Sequence, residues 1–288
     1  MPLSLLVEHL LNAAVLSGLL FLVSVGLSLI FGILRVVNFA HGVFYMLGAY
    51  LGVTAVLWSG SFWVSLVLVP PLVGALGAGF ELASLRHIYR RPPIYQLLLT
   101  FGAALIMEES IKVLWGPTAR AAEPPPVFTG SVGLLGATYP SYRLFLIAMS
   151  LAVGVALLLF LTRTRAGLVL RAVAQNSEMA GCLGADVRLV RTLAFGGACA
   201  LAGFGGVMAA PMTTAYLGMG IGVIVDCFVV VVIGGLGSIG GSMIGSLIVG
   251  AAQTWGGYYL PETAMAIMYV VMGAVLLFRP WGLFGQEE

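Results

Sequence analysis

The chain has 288 residues, 60% of them hydrophobic and 8% charged, with a formal net charge of +2. A soluble domain carries about 25% charged residues, and an interior of this size could not hide so much apolar surface from water. The arginines are spread over short loops rather than gathered on one face, which excludes a nucleic-acid-binding surface.

Apolar spans are predicted near 7–34, 38–58, 62–85, 95–115, 142–162, 189–212, 221–259 and 262–279. Leu10–Leu34, Gly42–Phe80, Thr192–Val225 and Cys227–Pro261 contain no Asp, Glu, Lys, Arg or His. A membrane-spanning helix needs roughly 20 apolar residues, so several of these stretches hold more than one pass. The expectation is an all-α, polytopic integral membrane protein, one transmembrane domain over residues 1–288 with about eight or nine passes. The N-terminal segment lacks a basic flank and is too long to read as a cleavable signal. The 39 glycines suit close helix packing in lipid.

Two breaks are expected. The first lies near 38–42, at Asn38-Phe39-Ala40-His41-Gly42. The second lies near 234–241, where Gly234, Gly235, Gly237, Gly240 and Gly241 make a poor helix interior. Each follows an apolar run and precedes small residues four apart. That leaves open a duplicated architecture, in which matching interrupted helices mark a transport pathway. The dinucleotide fingerprint spacing Gly235-x-Gly237-x-x-Gly240 lacks a following strand, so it reads as helix break.

Basic residues in short loops set orientation. Arg86, Arg90 and Arg91, and then Arg163, Arg165, Arg171, Arg188 and Arg191, are expected on the cytoplasmic side. The connector 116–141 is expected outside, with the N-terminus outside and Arg279 inside. Nine crossings satisfy every basic loop.

Polar residues at membrane depth are expensive and tend to line a pathway. Asn38, His41 and Ser238 are the candidates for that role; Asn38 and His41 could equally serve backbone groups freed by the break. Asp226 reads as a helix cap, Glu108 and Lys112 as an i,i+4 pair, and Glu81 as structural or part of a partner-facing surface. Cys182, Cys199 and Cys227 have no metal or disulfide spacing, and His9, His41 and His87 lie on different spans. No metal, cofactor or catalytic constellation is expected, and Lys112, the only lysine, follows no P-loop.

Residues 163–191 read as a short amphipathic helix on the positive side, carrying Glu178, Ala180 and Gly184 in the order E-x-A-x-x-x-G. That spacing resembles the cytoplasmic coupling motif of ABC importer permeases, with Met179 departing from its second position. Val37-Asn38-Phe39-Ala40-His41-Gly42, Met46-Leu47-Gly48-Ala49-Tyr50, Leu114-Trp115-Gly116-Pro117, Gly234 to Gly241 and Arg279-Pro280-Trp281-Gly282-Leu283-Phe284-Gly285 resemble, in order, the LivH-type permeases of branched-chain amino-acid importers. The resemblance implies a permease in a bacterial inner membrane, paired with a second homologous permease. It implies two cytoplasmic ABC ATPases, docked at Glu178, Ala180 and Gly184, and an extracytoplasmic solute-binding protein. Branched-chain amino acids are the implied substrates, with urea, amides and other amino acids left open. The alternative is a secondary transporter coupled to an ion gradient, for which Asp226, Glu108 and Glu109 are the only intramembrane acids. An intramembrane enzyme would need a nucleophile–base pair that the sequence does not offer.

Overall fold

The computed structural model describes residues 2–285. Among them, eleven α-helices follow in order: α1 Leu3–Leu34, α2 His41–Ser59, α3 Phe62–Ala83, α4 Pro93–Trp115, α5 Ser141–Arg163, α6 Arg165–Gln175, α7 Ser177–Cys182, α8 Val187–Thr213, α9 Met219–Gly234, α10 Ile239–Tyr259 and α11 Ala264–Phe278. The sole departure from an all-helical chain is a small hairpin, β1 Ser131–Leu134 against β2 Ala137–Pro140. Its two-residue turn, Leu135-Gly136, has both φ angles positive, as the right-handed twist of paired strands favours.

The fold is that of a multi-pass membrane protein. Five helices, α1, α2, α3, α5 and α8, are long and apolar enough to cross a membrane, and the bent α9–α10 pair adds a sixth if taken as one span. The count of eight or nine is therefore not reproduced. Two predicted spans fall short for identifiable reasons. The second half of α4 carries Glu108, Glu109 and Lys112, and α11 is only 15 residues long.

Packing centres on α1 and α8. From Leu19 to Ile30 α1 is buried on every side, as befits a helix that is apolar all round. It is enclosed by α5, α8, α9 and α10. Helix α8 packs against α1, α2 and α3. Lipid tails are as apolar as leucine, so contact between backbones rather than escape from water holds such helices together. Gly48 of α2 meets Gly203 of α8 so closely that a Cβ on Gly48 would fall 2.5 Å from the Gly203 Cα.

The two sets of connectors lie at opposite ends of the bundle. Helix α3 starts with Phe62, whose ring meets Tyr142, and ends near Glu81, which binds Thr192 of α8. The hairpin is tied to the start of α1, where Asn12 Oδ1 accepts hydrogen bonds from Tyr139 Oη and Arg143 Nη1, each at 2.8 Å. The arginine-rich connectors gather at the other end.

The breaks fall within three residues of where they were expected. Residues 35–40 are non-helical, so Gly42 belongs to the first turn of α2, where it packs on Gly220 and Ile224 of α9. Residues 235–238 separate α9 from α10, which are bent by 117°. Gly234 closes α9, while Gly240 and Gly241 lie in the first turn of α10, and Gly241 packs back on Gly234. The two breaks are built differently. After the first, α2 turns away from α1 to pack on α8; after the second, α10 packs on α9.

The tail after α11 completes the second break. Leu283 and Phe284 donate their backbone N–H groups to the carbonyls of Ile233 and Gly234, at 2.9 and 3.0 Å. These are carbonyls that the end of α9 leaves without helical partners. Gly235, at φ 102°, lets the tail approach, with Gly282 and Gly285 against it.

Two glycine-to-alanine changes separate packing from propensity. Both positions are helical, and alanine is worth about 1 kcal/mol in a helix interior. At Gly102 a Cβ meets nothing within 4 Å, so Gly102→Ala is expected to raise the midpoint of thermal unfolding in detergent. At Gly48 overpacking costs about 1–3 kcal/mol, so Gly48→Ala is expected to lower it.

Candidate functional site

Leaving the helix at Arg35 frees the backbone groups of residues 35–40 inside an apolar region. Protein groups must satisfy them. Asn38 Oδ1 accepts from Ala40 N–H at 3.1 Å, and Thr100 Oγ1 of α4 accepts from Phe39 N–H at 3.3 Å. His41 Nε2 donates to the Val23 carbonyl of α1 at 3.0 Å, which leaves Nδ1 as the acceptor nitrogen of the ring. Asn38, His41, Thr100 and Ser24 are all fully buried.

Each repair uses only part of the side chain. Asn38 Nδ2 and His41 Nδ1 are buried with no hydrogen-bond partner in the protein. Polar atoms in such a setting carry a desolvation cost that needs an explanation. One donor and one acceptor are thus left unused at the α1–α2 break. The sequence offers Asn38 and His41 through their place in the break. Thr100 is missed, because it lies on α4, far from the break in sequence.

Ser238 stands apart from this group. Its Oγ caps α10 by accepting from Gly241 N–H at 3.0 Å, and its carbonyl accepts from Ser242 Oγ at 3.0 Å. Asp226 is not a cap: α9 begins at Met219, and Asp226 lies mid-helix, bonded to Gln253 of α10. Lys112 pairs with Glu109, at 3.0 Å and three residues away, rather than with Glu108. Glu81 is structural. Its buried carboxylate accepts from Tyr89 Oη at 2.8 Å and Thr192 Oγ1 at 2.6 Å. Burial, and then the bond to Glu81, raise the Tyr89 phenol above its ordinary pKa.

The connector expected to hold one amphipathic helix holds two, α6 and α7, divided at Asn176 in extended conformation. Side-chain caps fix each start. Thr164 Oγ1 accepts from Gly167 N–H at 3.0 Å, and Asn176 Oδ1 accepts from Met179 N–H at 2.9 Å. Asp186 Oδ1 does the same for α8, accepting from Leu189 N–H at 3.1 Å. Each such cap is worth about 1 kcal/mol. Gly184, at φ 91°, ends α7 in a left-handed cap, with Ala185 N–H bonded to the Ala180 carbonyl at 3.0 Å.

Glu178, Ala180 and Gly184 therefore share one compact turn, and their exposure differs. Ala180 is 5% exposed and anchors α7 to the bundle. Glu178 is exposed in the first turn, where the helix dipole favours a carboxylate. Met179 and Leu183, four apart, are 58% and 83% exposed. The position where the motif departs from its expected residue is thus on the outward face. Helix α6 packs on α1 and α5, so this turn is mechanically joined to the helix that carries the first break.

No solved structure matches the chain. Curated proteins do, over nearly their whole length. The high-affinity branched-chain amino acid transport system permease protein BraD of Pseudomonas aeruginosa is 25% identical, covering 98% of this chain and 96% of the relative. The corresponding protein LivH of Escherichia coli strain K12 is 27% identical, with the same shares covered. A probable branched-chain amino acid transport permease protein LivH of Methanocaldococcus jannaschii is also 27% identical, covering 96% of this chain and 91% of the relative. Residues 9–278 match the family described as branched-chain amino acid transport system / permease component. With a match of that extent on an apolar helical bundle, the chain belongs to this permease family.

Proposed function

We propose that this chain is the membrane-spanning permease subunit of an ABC importer for branched-chain amino acids in a bacterial inner membrane. The observation that carries the reading is the capped turn at Glu178–Gly184, with Met179 and Leu183 turned outward and Ala180 holding the turn to the bundle. An exposed apolar pair on a rigid polar connector suits a groove on a soluble partner. The arginine-rich end is the cytoplasmic one. Two ABC ATPases dock there, a second homologous permease completes the pathway within the membrane lipid, and an extracytoplasmic binding protein delivers the solute. The relatives' names support the substrate class, and the apolar surroundings of the break suit aliphatic side chains.

The working cycle follows from the connections. Movement of α7 by an ATPase reaches α1 through α6, and α8 continues directly from the same connector. The α1–α2 break is where the spans rock between outward- and inward-facing states. Asn38 and His41 offer their spare donor and acceptor to the solute; Ser238 shapes the second break. Ion coupling is the weaker reading, because Asp226 and Glu109 are already engaged with Gln253 and Lys112.

Two experiments test this. The double change Glu178→Arg with Gly184→Trp is expected to abolish co-purification of the ATPases while the protein still inserts; unchanged co-purification refutes the docking assignment. Asn38→Asp keeps the acceptor for Ala40 N–H and removes the spare N–H donor. Leucine uptake into proteoliposomes is expected to fall about tenfold or more, as for a lost hydrogen bond to a buried polar partner, with ATPase binding kept. Unchanged uptake removes Asn38 from the pathway.

A further inference from the structure

A second polar feature lies at the arginine-rich end and plays no part in the transport reading. A pocket of about 430 Å³ opens between the end of α3, the connector to α4 and the start of α8. Arg86, Arg90, Arg188 and Arg191 line it, with Glu81 and Tyr89. The charges do not balance. Glu81 is the one carboxylate of the lining, and its closest approach to Arg86 is 3.6 Å. Asp186, the acid next to Arg188 in sequence, is committed to capping α8.

The remaining guanidiniums have neutral company or none. Arg191 lies over the Tyr89 ring at 5.4 Å and donates to Ser177 Oγ at 3.3 Å. Arg90 and Arg188 are exposed and form no ion pair among the described residues. The Nε groups of Arg86 and Arg191 are buried without a partner. Arginines on a merely solvated positive face would spread apart and keep their donors in water. Here four converge on one cavity, and two hold a buried donor that faces no acceptor in the protein.

We infer that this pocket is a site for a phosphate-bearing anion, filled by the headgroup of an acidic phospholipid. The guanidinium fork matches phosphate oxygens, and several arginines share one charge better than lysines would. The surroundings favour a lipid as the source. Leu82, Leu189 and Leu193, on the same ends of α3 and α8 that carry the lining residues Glu81, Arg188 and Arg191, are exposed. A headgroup seated among the arginines would therefore leave its acyl chains on an apolar helix surface.

The test uses the full-length chain in detergent and the double variant Arg90→Gln with Arg188→Gln, two exposed positions whose change leaves the Glu81 network intact. Native mass spectrometry compares retention of phosphatidylglycerol and phosphatidylcholine. The wild type is expected to retain phosphatidylglycerol selectively. The variant is expected to lose that selectivity by roughly fivefold for each arginine removed, while eluting as the same monodisperse species. Equal retention of the two lipids by the wild type, or undiminished selectivity in the variant, overturns the site. Protection by inorganic phosphate without lipid selectivity overturns the lipid source and leaves free phosphate in its place. Loss of ATPase co-purification with selectivity intact assigns the pocket to a protein partner and overturns the proposal too.

Discussion

The structure depends on one constraint: within lipid, every backbone N–H and carbonyl must find its partner inside the protein. Intact helices meet it automatically. Interrupted ones do not, and this chain interrupts two. Each interruption is repaired by a different device. At residues 35–40 side chains do it, with Asn38 accepting from Ala40 N–H and Thr100 of α4 accepting from Phe39 N–H. At residues 235–238 the tail after α11 lends its N–H groups to the end of α9, and the Ser238 hydroxyl caps the start of α10.

The difference has functional weight. A side-chain repair leaves unused atoms, and at the first break those atoms are the buried Asn38 Nδ2 donor and His41 Nδ1 acceptor. At the second break the tail's main chain meets the end of α9 directly. One break can therefore meet a solute while the other holds α9, α10 and the tail as a unit. The connector at the arginine-rich end joins this interior to the outside through α6 on α1 and through the direct continuation into α8. The break and the connector are thus joined through two helices of the bundle.

Much of this was legible in the sequence. Long stretches without charge announced a membrane bundle, because their apolar surface has no other solvent. The glycine cluster announced a break, because so many glycines destabilise a helix interior. Glu178, Ala180 and Gly184 stood out through their spacing. What stayed hidden depends on distance in three dimensions. Thr100 reaches Phe39 across 61 residues, and nothing local marks it as a repair group. The role of Gly42 was misread because a glycine that ends a helix and one that lets two helices touch look the same as letters. Lys112 chose Glu109 over Glu108 because i,i+3 and i,i+4 neighbours compete on one helix face. The pass count failed because hydropathy counts apolar runs, whereas α4 mixes charges into its second half and α11 is short.

The clasp between the tail and α9 also bears on how the molecule is made. The carbonyls of Ile233 and Gly234 belong to a helix synthesised well before Leu283 and Phe284. Until those late residues leave the ribosome and pass the translocon, the elbow lacks its partners. The order of the chain thus makes the α9 end wait for a segment that follows two later helices, α10 and α11.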